Sequence, residues 1–119
     1  MSEFLNLDAI LAAPDVTESD VDVPEWGGKV KVKALSKADQ IRVRKDATDN
    51  KGNVDDVRME GGLLVAGVVE PALETKHIPD LFAKSASAVD KVLQAILGVS
   101  GMTEDDKTAV TKAEDAFKS

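Results

Sequence analysis

The chain has 119 residues, enough for one domain with short tails, and its 22 acids against 15 bases leave a net charge of −7 and a pI near 4.6. That balance argues against a nucleic-acid binder held by general electrostatics, and the absence of cysteine excludes disulfides, cysteine metal sites and cysteine nucleophiles. The apolar 43% is built mainly of Ala and Val, with Phe4, Trp26, Phe82 and Phe117 the only large aromatics. It predicts a thin core and a stability toward the lower end of about 5–15 kcal/mol.

Residues 4–13 predict a short helix ended by Pro14, with Phe4, Leu7, Ile10 and Leu11 on one face. So short a helix is marginal alone. It must dock on its own domain or on another chain, and the residues leave that choice open. Next, Val21-Asp22-Val23 and Lys29-Val30-Lys31-Val32-Lys33 alternate on either side of Pro24-Glu25-Trp26-Gly27-Gly28. Period-2 alternation around a Pro/Gly turn predicts a β-hairpin with Val21, Val23, Val30 and Val32 inward and the lysines outward. Trp26 either anchors a partner or folds back over the hairpin, and the structural role is favoured. A lone hairpin is barely stable, so helices must cover its valine face.

Ser36-Lys37-Ala38-Asp39 reads as a capping box opening a helix to about Ala47, with Leu35, Ala38 and Ile41 inward. Residues 49–53 are a loop by composition. Residues 54–69 suit either a buried strand or a buried helix whose glycines mark close crossings; helix is the chosen reading, stopped by Pro71. Residues 78–84 form a short helical turn. The clearest amphipathic helix spans about 86–98, with Val89, Val92, Leu93, Ile96 and Leu97 on one face and Ser87 and Asp90 as a capping pair. A last helix starts at Thr103, with Glu104, Asp105 and Asp106 where the macrodipole favours acids and a sparse stripe of Val110, Ala113 and Phe117. The expected organisation is an N-terminal arm over 1–14, a core over 15–101 and a loosely held C-terminal helix over 102–119. The fold class is α+β, a small antiparallel hairpin packed on a mostly helical domain.

Charge is segregated. Residues 29–45 hold seven bases and one acid, whereas residues 1–28 hold seven acids and no base. The island reads first as solvated strand and helix faces. It also invites pairing with an acidic surface, such as the N-terminal third of a second copy.

No enzyme signature emerges. His77 is the only histidine, and no serine lies in a Gly-x-Ser-x-Gly turn. Gly62 to Gly67 has P-loop spacing, but Val68-Val69 stand where Lys-Ser/Thr would hold phosphate and Mg²⁺. The stretch from Asp46 has Lys51 and Val57 where a calcium loop needs Gly and Glu. No catalytic residue, cofactor or metal is therefore expected. The longest apolar run, Leu63 to Val69, is far short of the ~20 residues that span a bilayer. The N-terminus carries Glu3 and Asp8 and no basic stretch, so it does not read as a secretory signal. A soluble intracellular protein is the expectation.

The order of elements, the turn Val23-Pro24-Glu25-Trp26-Gly27-Gly28 between alternating strands, the helix opening Leu35-Ser36-Lys37-Ala38-Asp39 and the closing Ile96-Leu97-Gly98-Val99-Ser100-Gly101-Met102-Thr103-Glu104 resemble the tail assembly chaperones of long-tailed bacteriophages and prophages. The match runs over roughly residues 15–115, and its most specific part is the Pro-Glu-Trp-Gly-Gly turn. The resemblance implies a non-enzyme in the host cytoplasm. Such a protein coats the helical tape measure protein, keeps it soluble, helps tail tube subunits polymerise and leaves before the tail matures. It also implies self-association and no nucleic-acid or membrane partner. The candidate contacts are Phe4, Leu7 and Leu11, or Val92, Leu93, Ile96 and Leu97, with Trp26; ordinary core is the preferred reading of the 89–97 stripe. The alternatives are a tail or head–tail component retained in the virion, and a small acidic adaptor of a host protein.

Overall fold

In a computed structural model, residues 4–102 are described, and the helix expected from Thr103 lies outside them. Strands β1 (Glu18–Val23) and β2 (Gly28–Lys33) pair antiparallel around a 3-10 turn at Pro24–Trp26. Gly27 closes that turn at φ 76, donating its N–H to the Pro24 carbonyl at 3.0 Å, in a conformation that other residues rarely adopt. The register sets Glu18 opposite Lys33, Asp20 opposite Lys31 and Asp22 opposite Lys29. Alternation therefore places three acids and three lysines on one sheet face and the valines on the other. Val23 and Val32 are fully buried, and Val21 and Val30 half-buried.

A third strand, β3 (Val68–Glu70), pairs antiparallel with β2 and makes the sheet β1-β2-β3. The sequence reading ran the preceding helix through these residues. The helix instead ends at Gly67, and Val68 and Glu70 take up partners Val32 and Lys31 across a bulge. Backbone groups on β2 that a two-stranded hairpin would leave open select an extended conformation here. Lys31 thus has Asp20 on one side and Glu70 on the other.

Helix α2 (Lys37–Ala47) opens with the expected capping box: Asp39 N–H donates to Ser36 Oγ at 3.1 Å, and Ser36 N–H donates to Asp39 Oδ2 at 3.3 Å. Its inward face differs from expectation. Val43 and Ala47 are buried, together with Leu35 ahead of the helix, while Ala38 and Ile41 are exposed. Ile41 and Val43 lie on nearly opposite sides of a 3.6-residue helix, so only one of them can face the core. The entry is pinned where Ala34 N–H meets the Thr17 carbonyl and Leu35 N–H meets Ser100 Oγ, both at 2.8 Å.

Helix α3 (Asp56–Gly67) follows a tight loop in which the Asp49 carboxylate accepts the N–H groups of Lys51 and Asn53 at 2.8 Å. Asp55 caps it by accepting from Val57 and Arg58. Its glycines are the expected crossing points: a Cβ at Gly62 would lie 2.9 Å from Val43, and one at Gly67 2.7 Å from Ile96. Helix α3 is accordingly pressed against α2 on one side and against α5 (Ala86–Val99) on another. Between them, a 3-10 turn at Thr75–His77 leads into the short α4 (Ile78–Phe82), whose Ile78 is buried. Helix α5 is capped by Ser85, whose Oγ accepts from Ala88 N–H at 3.4 Å; the expected pair Ser87 and Asp90 lies inside the first turns instead. Ala88, Val89, Val92, Leu93, Ile96 and Leu97 of α5 complete the core against the sheet and α3.

Candidate partner-binding surfaces

The N-terminal arm is where apolar surface is left uncovered. Helix α1 (Leu7–Ala12) begins at Asn6, whose Oδ1 accepts Ala9 N–H at 2.7 Å, and ends before Pro14. None of its residues is buried. Phe4 is 84% exposed, Leu7 68%, Ile10 51% and Leu11 74%. The arm joins the body where the Thr17 carbonyl accepts Ala34 N–H, just before β1. The helix is shorter than the expected 4–13, so Phe4 precedes its cap and lies outside the helical stripe; Leu7, Ile10 and Leu11 face solvent in the single chain.

The other stripe has the opposite placement. Val92, Leu93, Ile96 and Leu97 are at most 3% exposed, so they form the core and are not presented to a partner by the folded chain. Six apolar side chains of one amphipathic helix meet a valine sheet face and α3, which removes most of their area from water.

Trp26 is half-buried and packs on the core cluster. It walls a small apolar groove of about 130 Å³ with Val30, Leu73, Leu81 and Pro71. Beside it, Glu25 Oε1 accepts from Lys91 Nζ at 3.4 Å, latching the turn onto α5. The Glu25 carboxyl lies below its ordinary range, held there chiefly by its own backbone N–H and further by Lys91 and Ser87, which together outweigh the upward push of desolvation. Asp39 is also shifted down. Partial burial pushes it up, but the Ser36 N–H, the Arg42 guanidinium and the Ser36 hydroxyl together outweigh that.

Two exposed apolar residues were not anticipated, Ile41 on α2 at 46% and Val57 on α3 at 61%. Val57 borders a cleft of about 440 Å³ between α3 and the Thr75–Pro79 segment, floored by Gly61, Gly62, Val65 and Ile78. For Ile41 a signal was present in the sequence, since its neighbours three and four residues away are Lys37, Ala38, Arg44 and Lys45.

His77 accepts the Glu74 N–H on Nδ1 at 3.0 Å, a local capping contact. Among the described residues there is no group of three or more His, Asp or Glu placed to hold a metal, and no helix long and apolar enough to cross a membrane. The chemistry these surfaces offer is docking through apolar contact and charge. No family model, curated protein or solved structure matches the chain.

Proposed function

We propose that this protein is an assembly chaperone of long phage tails, holding helices of the tape measure protein and helping tail tube subunits gather around them. The observation that carries the reading is the arm: Phe4, Leu5, Leu7, Ile10, Leu11 and Val16 are each at least 50% exposed on a segment whose helix buries nothing. An apolar helical stripe is the kind of surface that pairs with an amphipathic client helix. The net charge of −7 would keep a loaded complex soluble. The Pro24-Glu25-Trp26-Gly27-Gly28 turn between two strands, on which the family resemblance chiefly rests, supports the same assignment.

Co-expression with a tape measure protein tests it. Soluble client is expected with the wild-type chain and lost with Leu7→Asp/Leu11→Asp. No rescue by a folded wild-type chain overturns the reading. Mass spectrometry of purified particles separates it from a structural tail component, because a chaperone is absent from the mature virion. A pull-down that recovers host proteins and no tail protein would instead favour a host adaptor.

A further inference from the structure

Helix α2 turns an unusual face to solvent. Lys37, Ala38, Ile41, Arg44 and Lys45 follow one another at helical spacing, and all five are exposed. The two acids of the helix are engaged elsewhere. Asp39 is tied to Ser36 and Arg42, and Asp46 lines the clefts toward α3. Lys37, Arg44 and Lys45 form no ion pair among the described residues. The shallow depression around Ile41, about 460 Å³, is bordered by Arg44, Lys45 and one acid, Asp49. That carboxylate is already occupied by the N–H groups of Lys51 and Asn53 and by Asn53 Nδ2. The face is thus an apolar centre ringed by three unpaired bases.

The arm is its chemical complement. Residues 4–16 carry Asp8 and Asp15, no base, and the exposed stripe of Leu7, Ile10 and Leu11. We propose that the arm of one copy docks on the outward face of α2 of a second copy. Leu7, Ile10 and Leu11 lie over Ala38 and Ile41, and Asp8 and Asp15 sit among Lys37, Arg44 and Lys45. Elsewhere in the basic island, Lys29, Lys31 and Lys33 stand opposite Asp22, Asp20 and Glu18 in the strand register, with Lys29 Nζ 4.0 Å from Asp22, and Arg42 pairs with Asp39. The α2 bases Lys37, Arg44 and Lys45 have no ion pair among the described residues and are the ones assigned to the arm.

A second copy is the occupant because a six-residue helix has little stability of its own. Two-fold exchange makes the same contact twice, so each arm is held by an assembly that the other also holds. The open edge of β1 is a poor alternative for self-association. Antiparallel pairing of two β1 strands would bring Glu18, Asp20 and Asp22 against their own copies. An arm docked in this way is withheld from a client, so client and self-association compete. That consequence rests on the proposed function; the docking itself does not.

Sedimentation velocity on the full chain tests the docking. Concentration-dependent dimers or larger species are expected, weakened by salt. Leu7→Asp/Leu11→Asp or Arg44→Glu/Lys45→Glu should each weaken association at least about tenfold, with circular dichroism unchanged. Mixing a charge-reversed arm, Asp8→Lys/Asp15→Lys, with the Arg44→Glu/Lys45→Glu chain should restore it. Since the chain lacks cysteine, Ile10→Cys and Ile41→Cys copies mixed and oxidised should form one hetero-disulfide. A monomer at every concentration, an oligomer indifferent to the arm variants, or an Ile10–Ile41 cross-link formed only within a doubly substituted chain overturns the proposal. A monomer that still rescues a tape measure protein overturns the docking alone. An arm-dependent dimer that rescues none overturns the chaperone reading alone.

Discussion

Helix α5 and the arm carry apolar residues at the same helical spacing, yet Val92, Leu93, Ile96 and Leu97 are sealed in the core while Leu7, Ile10 and Leu11 stand in solvent. Spacing does not separate them. Helix α5 has 14 residues, a Ser85 cap and two surfaces shaped to receive it, the valine face of the sheet and the α3 side notched at Gly67. Helix α1 has six residues, buries none of them and ends at Ala12, ahead of Pro14. The difference teaches that an amphipathic stripe becomes core only where the fold supplies a complementary wall. Without one, it remains a surface on offer.

The strongest way to break the comparison is to weaken the sealed stripe. Ile96→Ala, at a fully buried position, should cost about 4 kcal/mol in chemical denaturation, from lost transfer energy and the cavity left behind. With a thin core this approaches the whole stability of the domain. A loss below about 1 kcal/mol would mean that α5 is not the wall described.

Next in size is the notch. Gly67→Ala places a Cβ within 2.7 Å of Ile96 and should destabilise by about 1–3 kcal/mol. In an Ile96→Ala background the added cost of Gly67→Ala should shrink, because the clash is with the Cγ2, Cδ1 and Cγ1 atoms of that side chain. A double-mutant cycle with no coupling would refute the contact.

Smaller again is the cap that orients α2. Ser36→Ala should cost about 1 kcal/mol by removing the acceptor for Asp39 N–H. The Asp39 carboxyl sits below its ordinary range in the folded state, so near its unfolded pKa the unfolded chain binds more protons than the folded one. Its contribution is present above the usual carboxylate range and is lost as pH falls through the depressed folded value. Asp39→Ala should therefore lower stability at neutral pH and flatten the acid limb of a stability–pH profile. An unchanged acid limb would count against the cap.

The smallest effect on stability belongs to the arm. At concentrations where the chain is monomeric, Leu7→Ala/Leu11→Ala should shift unfolding by no more than about 0.5 kcal/mol, since neither residue is buried in the single chain. The same substitution should abolish rescue of a co-expressed tape measure protein. A large loss of stability would show that the arm packs on its own body.

Much of this fold was legible in the residues. Strict alternation of Lys and Val around Pro24-Glu25-Trp26-Gly27-Gly28 specified the hairpin and its inward face. Ser36 and Asp39 specified the start of α2, and Val89 to Leu97 specified α5. Strand β3 was hidden because Val68-Val69-Glu70 continues an apolar run that a helix accommodates equally well. The orientation of α2 was legible only in Lys37, Arg44 and Lys45 around Ile41, since Ile41 and Val43 lie on opposite sides of one turn. Of the candidate contacts, Val92, Leu93, Ile96 and Leu97 were preferred as core in the sequence and are core, whereas the residues left open whether Phe4, Leu7 and Leu11 dock on their own domain.

The sequence by itself determined the pieces: an acidic chain of small apolar residues without cysteine, a charge-segregated pattern, a hairpin turn, a cap and two amphipathic stripes. Local periodicity and turn chemistry are properties of neighbouring residues and need no fold to be read. Only the tertiary structure decided which stripe was covered, that β2 would take a second partner in β3, and that the lysines of the basic island would face acids across one sheet. Among the described residues it also left three bases around Ile41 on α2 without an ion pair. Those outcomes depend on contacts between residues far apart in the chain, where burial of one surface settles what another must leave exposed.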